Sequence, residues 1–295
     1  MSADPRLRFD EPIGPHTTYR VGGTVAVFAT AASEQDLTEL APLFNEWPLL
    51  VVGNGSNLLV ADGHHNLVAL HLTGDFDDLQ IVDALDGTVE VTIGAGLSLP
   101  VAARRLAAEG IRGFEWAVGV PGTIGGAVVM NAGGHGSDMA ASVTTVRMLR
   151  DGVLTTVPAA ELKFGYRQSA VRRDDVVLSA TLTLTRGDVD EAKTMISDIV
   201  RWRREHQPGG ANAGSVFTNP AGDSAGRLLD EAGAKGLRRG GAAISTKHAN
   251  FIIADEGATA GDVFAVMQAA QELVLARAGI RLEPETCLVG FEEDV

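Results

Sequence analysis

Three residues stand in settings from which a side chain could do chemistry: Arg167 in GYRQS, Ser215 in NAGSVF, and Glu283 or Glu285 in LEPE. An arginine in a loop behind an aromatic residue presents a planar fork suited to a carboxylate, or it is an ordinary surface charge. A serine among small residues can give up a hydroxyl proton or simply make a turn. No GxSxG elbow surrounds Ser215 to mark it as a nucleophile. The two glutamates would share one face of an extended strand. An acid beside Pro284 in an apolar stretch is either buried, with its pKa raised by desolvation, or set on an exposed edge. From these residues alone no reaction follows.

Two glycine-rich stretches offer a different chemistry. Residues 113–136 read GFEWAVGVPGTIGGAVVMNAGGHG, with eight glycines among twenty-four residues. Such density lets a ligand reach the bare backbone. Backbone N–H groups of this kind, with a helix N-terminus close behind, suit a diphosphate. The stretch is not a Walker loop, since no Gly-Lys-Ser/Thr follows, and its spacing is not that of GxGxxG. The second stretch, Gly53-Asn54-Gly55-Ser56-Asn57, follows a short buried strand and has the same character. A plain turn is the alternative for both, Asn-Gly being a common hairpin signal.

The elements that must position these loops follow from periodicity. Strands are expected at 25–29, 49–52, 58–60, 67–71, 89–93, 176–184, 242–244 and 251–254, and a hairpin pairs 142–149 with 153–157 across Asp151-Gly152. His64-His65 falls between two strands, as a solvated loop pair. Helices are expected from Ser33, over 99–109 with Gly110 as stop, and from Asp188 or Asp190 with Ala192, Met195, Ile196, Ile199 and Trp202 on one face. A short helix covers 226–232. Another starts at Thr259, turns Val263, Val266, Met267, Ala270 and Val274 inward and stops at Gly279. The acidic, turn-like DFDDLQIVDALDG marks a boundary near residue 75, and a second boundary falls near 188.

Composition narrows the partners. The 295 residues are 45% apolar and 21% charged, as in ordinary globular proteins, with a formal net charge of -14. That balance argues against nucleic acid and anionic membrane as main partners, but not against a small anion met by local arginines. A lone Cys287 excludes an internal disulfide and a cysteine-based zinc site, and no metal site is expected. The charged N-terminus lacks the apolar core of a signal peptide, and no apolar run is long enough to span a bilayer, so a cytoplasmic protein is expected.

Seven motifs in order, TTYRVGG, GNGSNLL, GVPGTIGGAVVMNAGG, FGYRQS, NAGSVFTNP, GGAAISTKHANFI and LEPE, resemble the UDP-N-acetylenolpyruvoylglucosamine reductase family over about residues 17–290. The resemblance implies an α+β protein with an FAD-binding fold of the vanillyl-alcohol-oxidase (PCMH) type. Two FAD-binding subdomains, 1–74 (rejoined by 280–295) and 75–187, would precede an α+β substrate-binding domain at 188–279. It implies non-covalent FAD held by Gly53, Asn54, Gly55, Ser56, Asn57 and Leu58 and by Val120, Pro121, Gly122, Thr123, Gly125, Gly126, Asn131 and Gly133. NADPH would give hydride to the flavin and leave. The enolpyruvyl ether of UDP-N-acetylglucosamine would then enter the same site and be reduced to UDP-N-acetylmuramate, a peptidoglycan precursor. Arg167 and Glu285 would stabilise the enolate, Glu285 as the protonated acid, and Ser215 would donate the proton. Asn219, Tyr166, Arg238, Lys247 and His248 would bind substrate.

The chain departs from part of the family's pattern. With only Tyr19 and Tyr166 as tyrosines, it resembles the shorter form, which lacks a tyrosine-bearing lid loop. His206 stands where the longer form has a lysine near the substrate diphosphate, so Arg204, Arg238, Arg239 and Lys247 become the substitutes. A flavin oxidase of alcohols or sugars, with flavin attached through His64, His65 or His135, is one rival. A flavin-binding protein without catalysis is the other. A monomer is the default expectation.

Overall fold

The computed structural model describes residues 4–84 and 87–291, so the first three residues of the N-terminus and Leu85-Asp86 of the acidic segment lie outside the described residues. In chain order the strands are β1 (Leu7–Pro12), β2 (Thr24–Ala31), β3 (Leu49–Val51), β4 (Leu58–Val60), β5 (His64–Leu72), β6 (Leu79–Asp83), β7 (Thr88–Gly94), β8 (Ile111–Arg112), β9 (Gly133–Gly134), β10 (Ser137–Asp138), β11 (Val143–Arg150), β12 (Val153–Pro158), β13 (Val176–Arg186), β14 (Arg238–Arg239), β15 (Ala242–Ile244), β16 (Ile252–Ala254) and β17 (Cys287–Val289). The helices are α1 (Glu34–Glu46), α2 (Leu99–Ala108), α3 (Ile124–Met130), α4 (Val189–His206), α5 (Ala225–Glu231) and α6 (Ala260–Ala278). Two compact units form. One takes the chain up to Phe9, Val27–Gly53 and Asn66–Arg203; the other takes Asp10–Ala26, Asn54–His65 and everything from Arg204 on. A four-stranded sheet runs in the order β1-β2-β5-β3.

In the first unit a six-stranded sheet has the order β12-β11-β13-β7-β6, with β8 also on β13. Its centre is β13, an eleven-residue strand whose Val176, Leu178, Ala180, Leu182 and Leu184 are all buried. Strands β11 and β12 close through Asp151 (φ 51°) and Gly152 (φ 74°), a two-residue turn whose left-handed backbone matches the strand twist. Helix α2 buries Leu99, Ala102, Ala103 and Leu106 at helical spacing. Full burial of each leucine there contributes about 2 kcal/mol. Helix α3 packs on β13 and β7. In α1 the Ser33 hydroxyl accepts the Asp36 N–H, and Leu37 and Leu40 face inward.

In the second unit α5 and α6 pack with the three-stranded sheet β14-β15-β16, and β17 lies parallel to β4. Thr259 and Asp262 form a reciprocal capping box at the start of α6. Val263, Val266, Met267, Ala270 and Val274 are buried as their spacing requires, and Gly279 (φ 68°) ends the helix. The return of the chain end onto β4 brings LEPE beside the GNGSN loop.

Several expectations need correction. Strand β1 was not foreseen, because LRFDEP has no core-facing alternation and Phe9 is 64% exposed. His64 and His65 begin β5 rather than lying in a loop, and part of the acidic segment is the strand β6. On α4, Ala192, Ile196 and Ile199 are buried, whereas Met195 and Trp202 are exposed, at the margins of the apolar stripe. Glu283 and Glu285 do not lie in a regular strand; Pro284 alone bridges to Phe217. Glu283 is exposed and Glu285 half-buried.

Candidate flavin and proton-donor site

The GNGSN loop is built to leave its backbone open. Among the described residues, no acceptor meets the N–H groups of Gly53, Asn54, Gly55, Ser56 or Asn57. Gly55 (φ 57°) is buried, and a side chain there would collide with the His16 carbonyl. Thr18 holds the loop from behind, donating its N–H (3.2 Å) and its hydroxyl (3.3 Å) to the Gly55 carbonyl. A run of unpaired N–H donors at the end of a strand is an anion cradle. Leu58 follows as a buried residue of β4.

The second glycine stretch behaves differently from its sequence. The N–H groups expected to serve a ligand at the start of α3 already have partners: Ile124 donates to Leu97 O (3.0 Å), Gly125 to Ala95 O (2.9 Å) and Gly126 to Thr123 Oγ1 (3.5 Å). Directly before them, the amides of Gly122 and Thr123 have no partner among the described residues, behind half-buried Val120 and exposed Pro121. Gly53 packs against Thr123: a Cβ there would lie 2.5 Å from Thr123 Oγ1, so only glycine fits. At the base of the stretch, buried Glu115 accepts from Arg112 and from the Gly113 N–H (2.7 Å). Neither role was visible in the sequence.

The side chain of Asn131, expected at the cofactor, is bonded within the protein. It caps α3 in the left-handed conformation (φ 41°) and is 3% exposed. Its Nδ2 donates to Asp138 (3.2 Å) and to the Gly165 carbonyl (2.9 Å), and its Oδ1 accepts from Ala140 N–H (2.9 Å). Both of its donors are thus occupied, one of them in fixing the turn Gly165–Gln168, which carries Tyr166 and Arg167. In that turn Gly165 and Gln168 exchange backbone bonds at 3.0 and 3.3 Å, and Arg167 takes φ 55°. The Arg167 guanidinium donates to the Gly133 carbonyl (3.2 Å) and lies 5.1 Å from the exposed Tyr166 ring. Gly133 sits in the β9–β10 pair, too close to Asp138 for a side chain.

Ser215 and Glu285 come together in the second unit. Residues 216–218 run against 283–286: Glu285 N–H donates to Val216 O (2.7 Å), Thr286 N–H to the same oxygen (3.4 Å) and Thr218 N–H to Glu283 O (2.9 Å). Asn57 of the cradle joins this ladder, its Nδ2 donating to Glu285 O (3.0 Å) while its own carbonyl takes the Cys287 N–H (3.0 Å). Half-buried Ser215 immediately precedes Val216, whose carbonyl accepts the Glu285 N–H. Buried Asn250 lies along its other edge, a residue missed in the sequence, where it reads as one polar position in KHANFI.

The remaining expected residues are spread over the second unit. Asn219 is exposed, and its Oδ1 accepts the Ala225 N–H at the start of α5 (3.0 Å). Arg238 is paired with Asp255 (2.7 Å), and Lys247 donates to the Arg204 carbonyl (2.6 Å). The His248 ring meets Phe251 edge-on at 4.9 Å; burial, then Lys235, holds its pKa below the usual imidazole value. Of the histidines considered for flavin attachment, His64 bonds Thr24 (3.1 Å), His65 bonds Ala61 O (2.7 Å), and His135 stands edge-on to Trp202 at 5.2 Å. Among the described residues no helix is long and apolar enough to cross a membrane.

An FAD-binding domain model matches residues 25–157, and one for the UDP-N-acetylenolpyruvoylglucosamine reductase C-terminal domain matches residues 206–289. With the two amide cradles, this defines an FAD-dependent oxidoreductase of the PCMH type. The chain is 41% identical to the UDP-N-acetylenolpyruvoylglucosamine reductase of Heliobacterium modesticaldum, over 95% of this chain and 90% of that one. It is 35% identical to that of Clostridioides difficile, over 96% and 93%. The crystal structure of the corresponding Thermus caldophilus reductase superposes with a TM-score of 0.84 at 34% identity, covering 96% of this chain and 99% of the other. The chain belongs to the UDP-N-acetylenolpyruvoylglucosamine reductase family.

Proposed function

We propose that this enzyme reduces the enolpyruvyl ether of UDP-N-acetylglucosamine enolpyruvate to UDP-N-acetylmuramate, with NADPH as hydride donor and non-covalent FAD, in peptidoglycan precursor synthesis. The observation that supports this most is the ladder that bonds Glu285 to Val216, the residue after Ser215, and ties Glu285 to the GNGSN loop through Asn57. The unpaired amides of residues 53–57 and 122–123 fit the diphosphate of FAD. FAD, when bound, supplies the hydride relay between nicotinamide and the substrate double bond. The chain's own residues supply the rest. Arg167 and Glu285, the latter as the acid, bind the enolpyruvyl carboxylate and take up the negative charge that develops as hydride reaches the terminal carbon. Ser215 gives its proton to the neighbouring carbon, on a face fixed by the ladder.

Asn219, through its amide nitrogen, and Tyr166 hold the sugar, with Lys247, His248 and the exposed Arg204 and Arg239 toward the diphosphate. Arg238, already paired with Asp255, contributes least. On this reading residues 1–74 with 280–295 and 75–187 bind flavin, 188–279 binds substrate, and the protein works as a cytoplasmic monomer. Ser215→Ala is expected to leave flavin reduction by NADPH intact and to abolish reoxidation by the sugar nucleotide in stopped-flow experiments. Normal turnover in that variant would remove Ser215 from the mechanism.

A further inference from the structure

Asn250 has no part in the roles assigned above, yet it is 4% exposed and all of its polar groups are placed. Its backbone carbonyl accepts the Val216 N–H (3.0 Å), its Oδ1 accepts the Phe217 N–H (3.0 Å) and its Nδ2 donates to the Phe217 carbonyl (2.8 Å). One residue thus satisfies three of the four backbone groups of the dipeptide just after Ser215. On the opposite edge the same dipeptide is bonded by Glu285 and Thr286. A flat carboxamide is the group of this size that offers donor and acceptor together. The Asn250 N–H donates in turn to His248 Nδ1 (3.2 Å), which requires a neutral imidazole with its proton on Nε2. The titratable groups around this cluster are His248, with Lys235 and Asp230 beside it, and Glu283 and Glu285 across the ladder.

We infer that Asn250 is a positioning residue: its side-chain amide stands in for a third strand and sets the backbone from which Ser215 delivers its proton. This rests on the assignment of Ser215 as proton donor. The discriminating variant is Asn250→Asp, which keeps the shape but puts a carboxylate oxygen against the Phe217 carbonyl. Protonation of that carboxyl restores a donor, and its burial raises the pH at which this happens.

In flavin-loaded Asn250→Asp protein, reduction by NADPH should stay within about twofold of wild type, while anaerobic reoxidation by UDP-N-acetylglucosamine enolpyruvate falls about tenfold or more near pH 8. The ratio of variant to wild-type reoxidation should then climb as the pH is lowered to about 5.5. A ratio that is flat across this range overturns the proposal, since a merely structural role would change the amount of folded flavoprotein and not the pH profile per flavin. Should the variant fail to accumulate as flavoprotein, hydrogen exchange in the wild-type holoenzyme decides. The Asn250 side-chain NH₂ and the Phe217 amide should be strongly protected, and exchange as fast as at a surface asparagine overturns the proposal. Wild-type enzyme that reduces its flavin but is not reoxidised by the sugar nucleotide would instead remove the functional reading, leaving the exchange result to stand by itself.

Discussion

The turn that carries Arg167 and the ladder that carries Ser215 and Glu285 each depend on a buried asparagine, but differ in how much backbone is fixed. Ser215 precedes a dipeptide bonded along both edges, by Asn250 on one side and residues 285–286 on the other. Arg167 sits at the tip of a two-residue turn with φ 55°, a conformation that costs a non-glycine residue on the order of 1 kcal/mol. That turn is held at its near end by Asn131 on the Gly165 carbonyl and at its far end by Ser169 on the Val129 carbonyl (2.8 Å). On the proposed reading the ladder would fix a proton donor, and the turn would present a charged fork to an arriving carboxylate.

Three measurements sharpen this contrast. The largest effect is expected at the tip. Arg167→Lys keeps the charge but loses the fork, and turnover should fall about a hundredfold while the melting temperature changes little, because lysine keeps the charge and the aliphatic stem. A matching loss of thermal stability would mean that Arg167 is structural. Next comes the anchor. Asn131→Ala leaves the Ala140 N–H without its partner and the Gly165 carbonyl with the Gln168 N–H alone, and should destabilise the protein by about 1–3 kcal/mol and raise KM for the sugar nucleotide. Unchanged KM in the folded fraction would separate the anchor from the turn.

The smallest effect lies beyond the turn, where buried Asp175 receives bonds from Arg150 and Arg172. Burial pushes its carboxyl up, but these bonds outweigh it and hold the pKa below the usual aspartate value. A depressed folded pKa gives stability that is complete above the unfolded value of about 3.9 and is lost as pH falls through the folded one. Denaturation midpoints should therefore drop below about pH 4 more steeply for wild type than for Asp175→Asn. Parallel slopes would exclude this linkage.

Much of the architecture was legible because periodicity and punctuation agree along the chain. Helix α6 shows this best, with cap, apolar stripe and stop glycine all at the positions read from sequence. Strand β1 was not, because an edge strand with little to bury has no apolar signature. In the candidate site, the glycines pointed to two loops but not to which of their amides are unpaired. The N–H groups of α3 are taken by carbonyls of residues 95 and 97, distant enough in sequence that no local pattern reports them. Asn131, Glu115 and Asn250 were unreadable as anchors for the same reason: a buried polar side chain is defined by the backbone it meets, which only the fold supplies.

The most direct test of the account is NADPH consumption by the FAD-loaded protein in the absence of oxygen, with and without UDP-N-acetylglucosamine enolpyruvate. Sustained oxidation only when the sugar nucleotide is present is the predicted result. Stoichiometric flavin reduction that stalls with the sugar nucleotide in place would contradict it, leaving a flavoenzyme whose acceptor is another molecule.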